Sequence, residues 1–131
     1  MPLPAKILLV EDDLSLLKIY SNKLKINGFD VLPATTGDEA LRKAQAESPN
    51  IVLLDLIIPG KDGFVVLEEL KKMEQTKNIP VIILSNLGQE SDIQRGRRLG
   101  AVDYLIKSDV SLVDLVGKIK KYLPYHDVGQ Q

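Results

Sequence analysis

Apolar runs recur along the chain without alternation, at Ile7–Val10, Ile51–Leu54 and Val81–Leu84. Runs of this length, bounded by turn residues, read as strands buried on both faces, as in a parallel sheet covered by helices. A weaker strand is expected at Phe29–Ala34 and a fifth strand at Val102–Ile106. Pro33 has no N–H to give a neighbour, so the first of these belongs at a sheet edge. Between strands the spacing turns helical. Leu17, Tyr20 and Leu24 share a face of a first helix, stopped by Asn27-Gly28, and Thr36 with Glu39 makes a capping-box pattern for a second that runs through Ala40, Leu41 and Ala44 to Ser48-Pro49. Val66, Leu67, Leu70 and Met73 line a third, whose last turn carries Lys71 and Lys72 where the helix dipole favours cations. The fourth, around Gln89–Leu99, has a thin apolar face punctuated by Gly88, Gly96 and Gly100, which predicts the most mobile helix of the set. Ser111-x-x-Asp114 caps a fifth with Leu112, Leu115, Val116, Ile119 and Leu123 on one face, before Pro124 stops it.

Strands alternating with helices imply a parallel sheet with right-handed crossovers and helices on both faces. An edge second strand beside central first and third strands suits the doubly wound, flavodoxin-like α/β order 2-1-3-4-5, whose switch point lies between strands one and three. The first strand runs into Glu11-Asp12-Asp13 and the third into Asp55, followed by the loop residues Pro59, Gly60, Asp62 and Gly63. Ligands of such sheets bind outside the carboxyl ends of the strands, so Glu11, Asp12 and Asp55 are expected in one crevice.

At 131 residues, 44% hydrophobic and 27% charged, the chain has room for one compact domain and no second. A net charge of −1 with scattered Lys and Arg argues against direct nucleic-acid binding. The one dense basic cluster, Arg95, Arg97 and Arg98, reads as a solvated helix face. The absence of cysteine excludes disulfides, thiol nucleophiles and thiolate metal sites. Neither a signal-peptide pattern nor a run of membrane-spanning length is present, and a cytoplasmic protein without membrane insertion is expected. His126 is too isolated for a triad or a metal site.

Three converging carboxylates repel, so either their pKa values rise or a cation is bound among them. Mg²⁺, with Mn²⁺ as a substitute, takes such oxygen ligands and leaves positions for phosphate. Lys107 and the Ser85 hydroxyl end the neighbouring strands and add a point charge and a donor. The set reads as a phosphoryl site in which Asp55 is the nucleophile and forms an acyl phosphate. Singly, each residue has a plainer reading: the acids cap the first helix, Asp55 starts a polar loop, Ser85 turns a loop and Lys107 lies at the surface. Together, four strand ends would each have to supply phosphate chemistry by accident.

The runs Ile-Leu-Leu-Val-Glu-Asp-Asp at 7–13, Leu-Leu-Asp-Leu-Ile-Ile-Pro-Gly-Lys-Asp-Gly at 53–63, Val-Ile-Ile-Leu-Ser at 81–85 and Gly-Ala-Val-Asp-Tyr-Leu-Ile-Lys at 100–107 resemble the response-regulator receiver domains of two-component signalling. The resemblance implies Asp55 as phosphoacceptor, Asp12 as direct Mg²⁺ ligand, Glu11 acting on the metal chiefly through water, and the Ile57 carbonyl as a further ligand. It implies Ser85 and Lys107 as phosphoryl contacts, and Ser85 with Tyr104 as a switch in which the aromatic turns from outward to buried. The phosphodonor would be a histidine kinase or histidine phosphotransfer protein. An output partner would meet the face of the fourth helix, fifth strand and fifth helix, on a monomer or a phosphorylation-dependent dimer. The expected division is a lead-in at 1–5, the receiver domain at 6–123 and a tail at 124–131; the protein would catalyse only its own phosphorylation and dephosphorylation.

The chain departs from the family pattern in three places. Ser108 stands where the family usually has proline in a cis peptide, and a non-proline cis bond costs roughly 2.5–4 kcal/mol. Ile57 and Leu87 are apolar where fast-hydrolysing relatives carry polar side chains, which suggests that they shield the acyl phosphate. A doubly wound phosphatase would want a second aspartate where Ile57 stands, and a flavodoxin-type carrier would not place three acids after its first strand. The remaining alternative is a receiver-like interaction module that does not use phosphate.

Overall fold

The structure, a computed structural model, describes residues 3–123; Pro124, His126 and the expected tail lie outside the described residues. The elements are β1 (Lys6–Val10), α1 (Leu14–Ile26), β2 (Asp30–Ala34), α2 (Gly37–Glu47), β3 (Ile51–Leu54), α3 (Gly63–Lys72), β4 (Val81–Ser85), α4 (Glu90–Arg98), β5 (Asp103–Ile106) and α5 (Leu112–Tyr122). Every strand pairing is parallel and the order is β2-β1-β3-β4-β5. This is the flavodoxin-like arrangement expected, with β2 and its Pro33 at the edge. The Lys43 ammonium, 2.5 Å from the Pro33 carbonyl, occupies an acceptor of that edge strand. β2 begins at Asp30 rather than Phe29 because the Phe29 N–H is bonded to Leu24 O at the end of α1 (3.1 Å).

Side chains of a strand alternate between faces, so an unbroken apolar run feeds two cores at once. Leu8, Val10, Val52, Leu54 and Ile83 point to one, closed by α2 and α3 through Ala40, Ala44, Phe64, Leu67 and Leu70. Ile7, Leu9, Ile51, Leu53 and Ile82 point to the other, closed by α1 and α5 through Tyr20, Leu24, Leu115 and Ile119. Burying each Leu or Ile fully contributes about 1.5–3 kcal/mol, enough to fix the register of all three central strands. Among the described residues no helix is long and apolar enough to cross a membrane.

Local chemistry sets the helix ends. Asp13 Oδ1 accepts the N–H groups of Ser15 and Leu16 at the start of α1, and Ser111 Oγ accepts the Asp114 N–H at the start of α5. Thr36 Oγ1 accepts the Glu39 N–H (3.1 Å), but the return bond of the expected capping box is displaced by one residue. Glu39 takes the Thr35 N–H (2.7 Å) and also pairs with Lys43.

The thin apolar face of α4 is a real feature. Gly96 is its buried residue, and Gln89 at its N-cap makes no side-chain cap bond. A Cβ on Gly96 would lie 2.5 Å from Ile83 Cδ1 and 3.1 Å from Tyr104 Cδ2, so α4 rests on the sheet through a missing side chain. Arg95, Arg97 and Arg98 of α4 are exposed, as the sequence suggested, and two of them also find partners. Arg95 lies over the Phe64 ring, 4.2 Å from its centroid, and Arg97 reaches to 3.6 Å from Asp103. A guanidinium over an aromatic face is attracted by the ring quadrupole.

Gly63, at the start of α3, is fixed by packing against backbone: a Cβ there would lie 2.4 Å from Leu56 Cα and 2.7 Å from its carbonyl oxygen. Gly63→Ala is therefore expected to cost about 2 kcal/mol. Gly117→Ala, in open space on α5, is expected to gain roughly 0.5–1 kcal/mol from reduced backbone entropy. Urea unfolding midpoints measure both, and equal effects would contradict the packing argument.

Candidate functional site

The sheet ladder runs one residue past the ends of the strands. The Glu11 N–H donates to Ala34 O (2.9 Å), the Asp55 N–H to Val10 O (3.1 Å) and the Lys107 N–H to Ser85 O (3.0 Å). Each backbone is thus held by the sheet while its side chain already faces the crevice beyond it. Val10 is level with Leu54 and Leu54 with Ile83, so Glu11 and Asp55 stand side by side and Ser85 extends one residue further.

The Lys107 ammonium lies between two carboxylates, 2.7 Å from Asp55 Oδ2 and 2.5 Å from Glu11 Oε1, and the three side chains are only 9%, 6% and 2% exposed. The other oxygens are also engaged. Asp55 Oδ1 accepts the Ile57 N–H (3.1 Å) and Glu11 Oε2 the Asp13 N–H (3.1 Å). Burial pushes the Glu11 carboxyl above its usual pKa, and the hydrogen bonds from Lys107 and Asp13 offset this only in part. Burial would lower the Lys107 pKa, but the bonds and charges of Asp55 and Glu11 outweigh it and hold the ammonium above its ordinary 10.5. Lys107 therefore adds stability that is full below pH 10.5 and fades only as pH climbs through its higher folded value. Glu11 has the same sign at the other end of the scale: its contribution is full below 4.5 and is lost as pH rises through the folded value.

Asp12, exposed, completes the cluster. One carboxylate oxygen from each of Glu11, Asp12 and Asp55 lies within 4.8 Å of the others. Three carboxylates against one ammonium leave an excess of negative charge, and an all-oxygen donor set suits a hard divalent cation. The repulsion anticipated among the acids is met in part by Lys107 itself. Asp13, the remaining acid of the run, is used in the α1 cap.

Ser85 is fully buried, and its Oγ accepts the Leu87 N–H (3.3 Å). Tyr104 is buried, its hydroxyl donates to the Leu87 carbonyl, and desolvation, with the Asp92 and Asp55 charges adding, pushes its pKa up to about 12. The Leu87 backbone is thus gripped from one side by Ser85 and from the other by Tyr104. Tyr104 occupies the buried position that the resemblance assigns to the switched form. Ile57 is 57% exposed and Leu87 half-buried, both on loops leaving the site. The peptide between Lys107 and Ser108 is trans, so the chain does not keep the cis bond of the family pattern here.

Sequence reasoning missed Asp103. It is buried next to Tyr104, its Oδ1 accepting the Tyr104 N–H (2.8 Å) and its Oδ2 the Tyr122 hydroxyl (3.0 Å), with Lys118 at 3.5 Å. An acid opening an apolar strand was the available signal.

A parallel sheet that gathers acids and a lysine beyond its strand ends defines a doubly wound α/β protein with an acidic pocket of the kind that suits a hard cation. Residues 7–120 match the response regulator receiver domain family, and the chain belongs to it as a receiver domain of two-component systems. It is 42% identical over 102 residues to the probable transcriptional regulator ycf27 of Cyanophora paradoxa, covering 78% of this chain and 41% of that protein. It is 39% identical over 103 residues to protein PilH of Pseudomonas aeruginosa, covering 79% and 85%. The receiver domain of the sensor histidine kinase PA1611 of Pseudomonas aeruginosa, solved with a magnesium ion in its active-site cleft, superposes with a TM-score of 0.83 at 25% identity, covering 91% of this chain and 97% of that one. The chain spans about two-fifths of the length of the curated ycf27 relatives it matches.

Removing the ammonium leaves two buried carboxylates without their partner. Lys107→Met is expected to lose about 3 kcal/mol in magnesium-free buffer and to recover part of it in millimolar Mg²⁺. Lys72→Ala, exposed beside Glu68, is expected to change stability by less than about 0.5 kcal/mol. Urea titrations with and without magnesium compare them, and equal losses would remove Lys107 from its bridging role.

Proposed function

We propose that this receiver domain, taken as residues 6–123, accepts a phosphoryl group on Asp55 from a phosphohistidine and uses the resulting charge change to alter a partner-binding face. The observation that carries the reading is Lys107 held between Asp55 and Glu11, within a carboxylate cluster able to take a divalent cation. An Asp55 carboxylate oxygen attacks phosphorus, the phosphorus–nitrogen bond breaks, and the histidine leaves as the acyl phosphate forms. Asp55 then no longer carries carboxylate charge, which moves outward onto the phosphoryl oxygens, where the Lys107 ammonium follows it. Ser85, on the adjoining strand end, supplies a hydroxyl for a phosphoryl oxygen in exchange for its bond with Leu87.

Asp12, Asp55 and the Ile57 carbonyl would hold Mg²⁺, with Glu11 acting through water; the magnesium in the cleft of the PA1611 receiver supports that assignment. When bound, the ion neutralises charge on the transferring group and on the acids around it. The readout runs through Leu87. Drawing Ser85 Oγ toward a phosphoryl group releases the Leu87 N–H, and the Tyr104 hydroxyl on the Leu87 carbonyl carries the change to β5. The groove beside it, lined by Tyr104, Ile106, Val110, Val113, Gly117 and Lys121, lies between β5 and α5 and is the face offered to an output partner. The module signals rather than turning over an external substrate, and its donor is a histidine kinase or histidine phosphotransfer protein.

Acetyl phosphate with Mg²⁺ is expected to place one phosphoryl adduct on Asp55, detected by mass spectrometry of borohydride-trapped peptides and absent from Asp55→Asn. No adduct at any donor concentration would favour the interaction module that does not use phosphate. Ile57→Asn is expected to shorten the lifetime of the acyl phosphate several-fold by admitting water; timed loss of the adduct measures it, and an unchanged lifetime counts against shielding.

A further inference from the structure

The pairing of β4 with β5 ends at Ser85 and Ile106, and the Lys107 N–H adds one more ladder bond to Ser85 O. A contact of another kind comes next. The Ser108 N–H donates to Asn86 Oδ1 at 3.0 Å. Asn86 follows Ser85 and Ser108 follows Lys107, so this side chain ties together the two loops that carry the phosphoryl contacts, one step outside the site. Proline at 108 would have no N–H to offer. The Asn86 bond, made here across a trans peptide, is therefore open to any residue at 108 except proline. The Ser108 turn is otherwise held from behind, by Asp109 and Val110 N–H groups on Ile106 O (2.9 and 3.1 Å). Among the described residues, no other hydrogen bond from the β4 side reaches this turn beyond Lys107.

We propose that Asn86 is a positioning residue for the phosphoryl site: through the Ser108 N–H it fixes the loop after Lys107 against the loop after Ser85, and so sets the spacing of the ammonium and hydroxyl that meet a phosphoryl group. This role rests on the phosphoacceptor reading above. Both partners are exposed, so the bond is a modest one, and its loss is expected to weaken capture of a phosphoryl analogue by roughly three- to tenfold while the fold persists.

Beryllofluoride with Mg²⁺ is the probe, and its dissociation constant is measured by NMR titration for the wild type, Asn86→Ala, Ser108→Pro and the double variant. Ser108→Ala, which keeps the N–H, serves as the reference for the proline change. Each single variant is expected to bind several-fold more weakly and the double variant no more weakly than either, because both remove the same bond. Amide hydrogen exchange in magnesium-free protein supplies a readout independent of phosphoryl chemistry: Asn86→Ala is expected to speed exchange of the Ser108 N–H. Additive losses, variants that bind as the wild type does, or unchanged Ser108 exchange would each overturn the role of Asn86. A wild type that ignores beryllofluoride overturns the phosphoacceptor reading, and this role with it, whereas wild-type binding with indifferent variants overturns this role alone.

Discussion

One ammonium between two buried carboxylates is the interaction on which the architecture converges. Lys107 comes from the end of β5, Asp55 from β3 and Glu11 from β1, so their meeting depends on three strand registers being right at once. Desolvating such a triad costs several kcal/mol per ion unless geometry and further hydrogen bonds compensate. Here the ladder N–H groups hold each backbone, and Ile57 and Asp13 occupy the outer carboxylate oxygens. A register slip of one residue would turn every side chain of a strand to the opposite face. The two apolar cores that fix the registers are therefore as much part of the site as the acids.

The triad remains unbalanced in charge, since Asp12 adds a further carboxylate. That imbalance is of the kind a divalent cation relieves, and on the proposed reading a phosphoryl group with its own negative charge would then be tolerated beside Lys107. The loops leaving the pocket connect it to α4. The Leu87 backbone is held by Ser85 at its N–H and by Tyr104 at its carbonyl, and Tyr104 is wedged under Gly96 of α4, so on the proposed reading this is the route by which Ser85 would reach α4. Gly96, the buried residue of α4, leaves no room for a side chain between the helix and Tyr104.

Much of this is legible in the sequence for definite reasons. Strands buried on both faces must be apolar throughout, so Ile7–Val10, Ile51–Leu54 and Val81–Leu84 stand out, and the acid or hydroxyl after each marks the sheet end. Pro33 identifies the edge strand because a proline cannot donate to a neighbour. What stays hidden involves partners far apart in sequence whose identities carry no pattern. The stacking of Arg95 on Phe64, the burial of Asp103 among Tyr104, Tyr122 and Lys118, and the Asn86 bond to Ser108 belong here. Glu39 shows the limit within a single helix: the spacing announces a capping box, but only the approach angle of the chain decides that Thr35, not Thr36, receives the return bond. The placement of Lys107 inside the acid cluster follows from register, whereas its role as the acids' own counter-ion emerges only with the distances.

The central claim is that the carboxylates at the ends of β1 and β3 form a site with an excess of negative charge of the kind a divalent cation neutralises. Isothermal titration of the chain with magnesium tests it most directly. One ion per chain is expected, with uptake weakened at least tenfold by Asp12→Asn and lost as pH falls far enough to protonate the cluster. A wild-type chain that took up no magnesium at millimolar concentrations near neutral pH, or took it up equally well without Asp12, would contradict the claim.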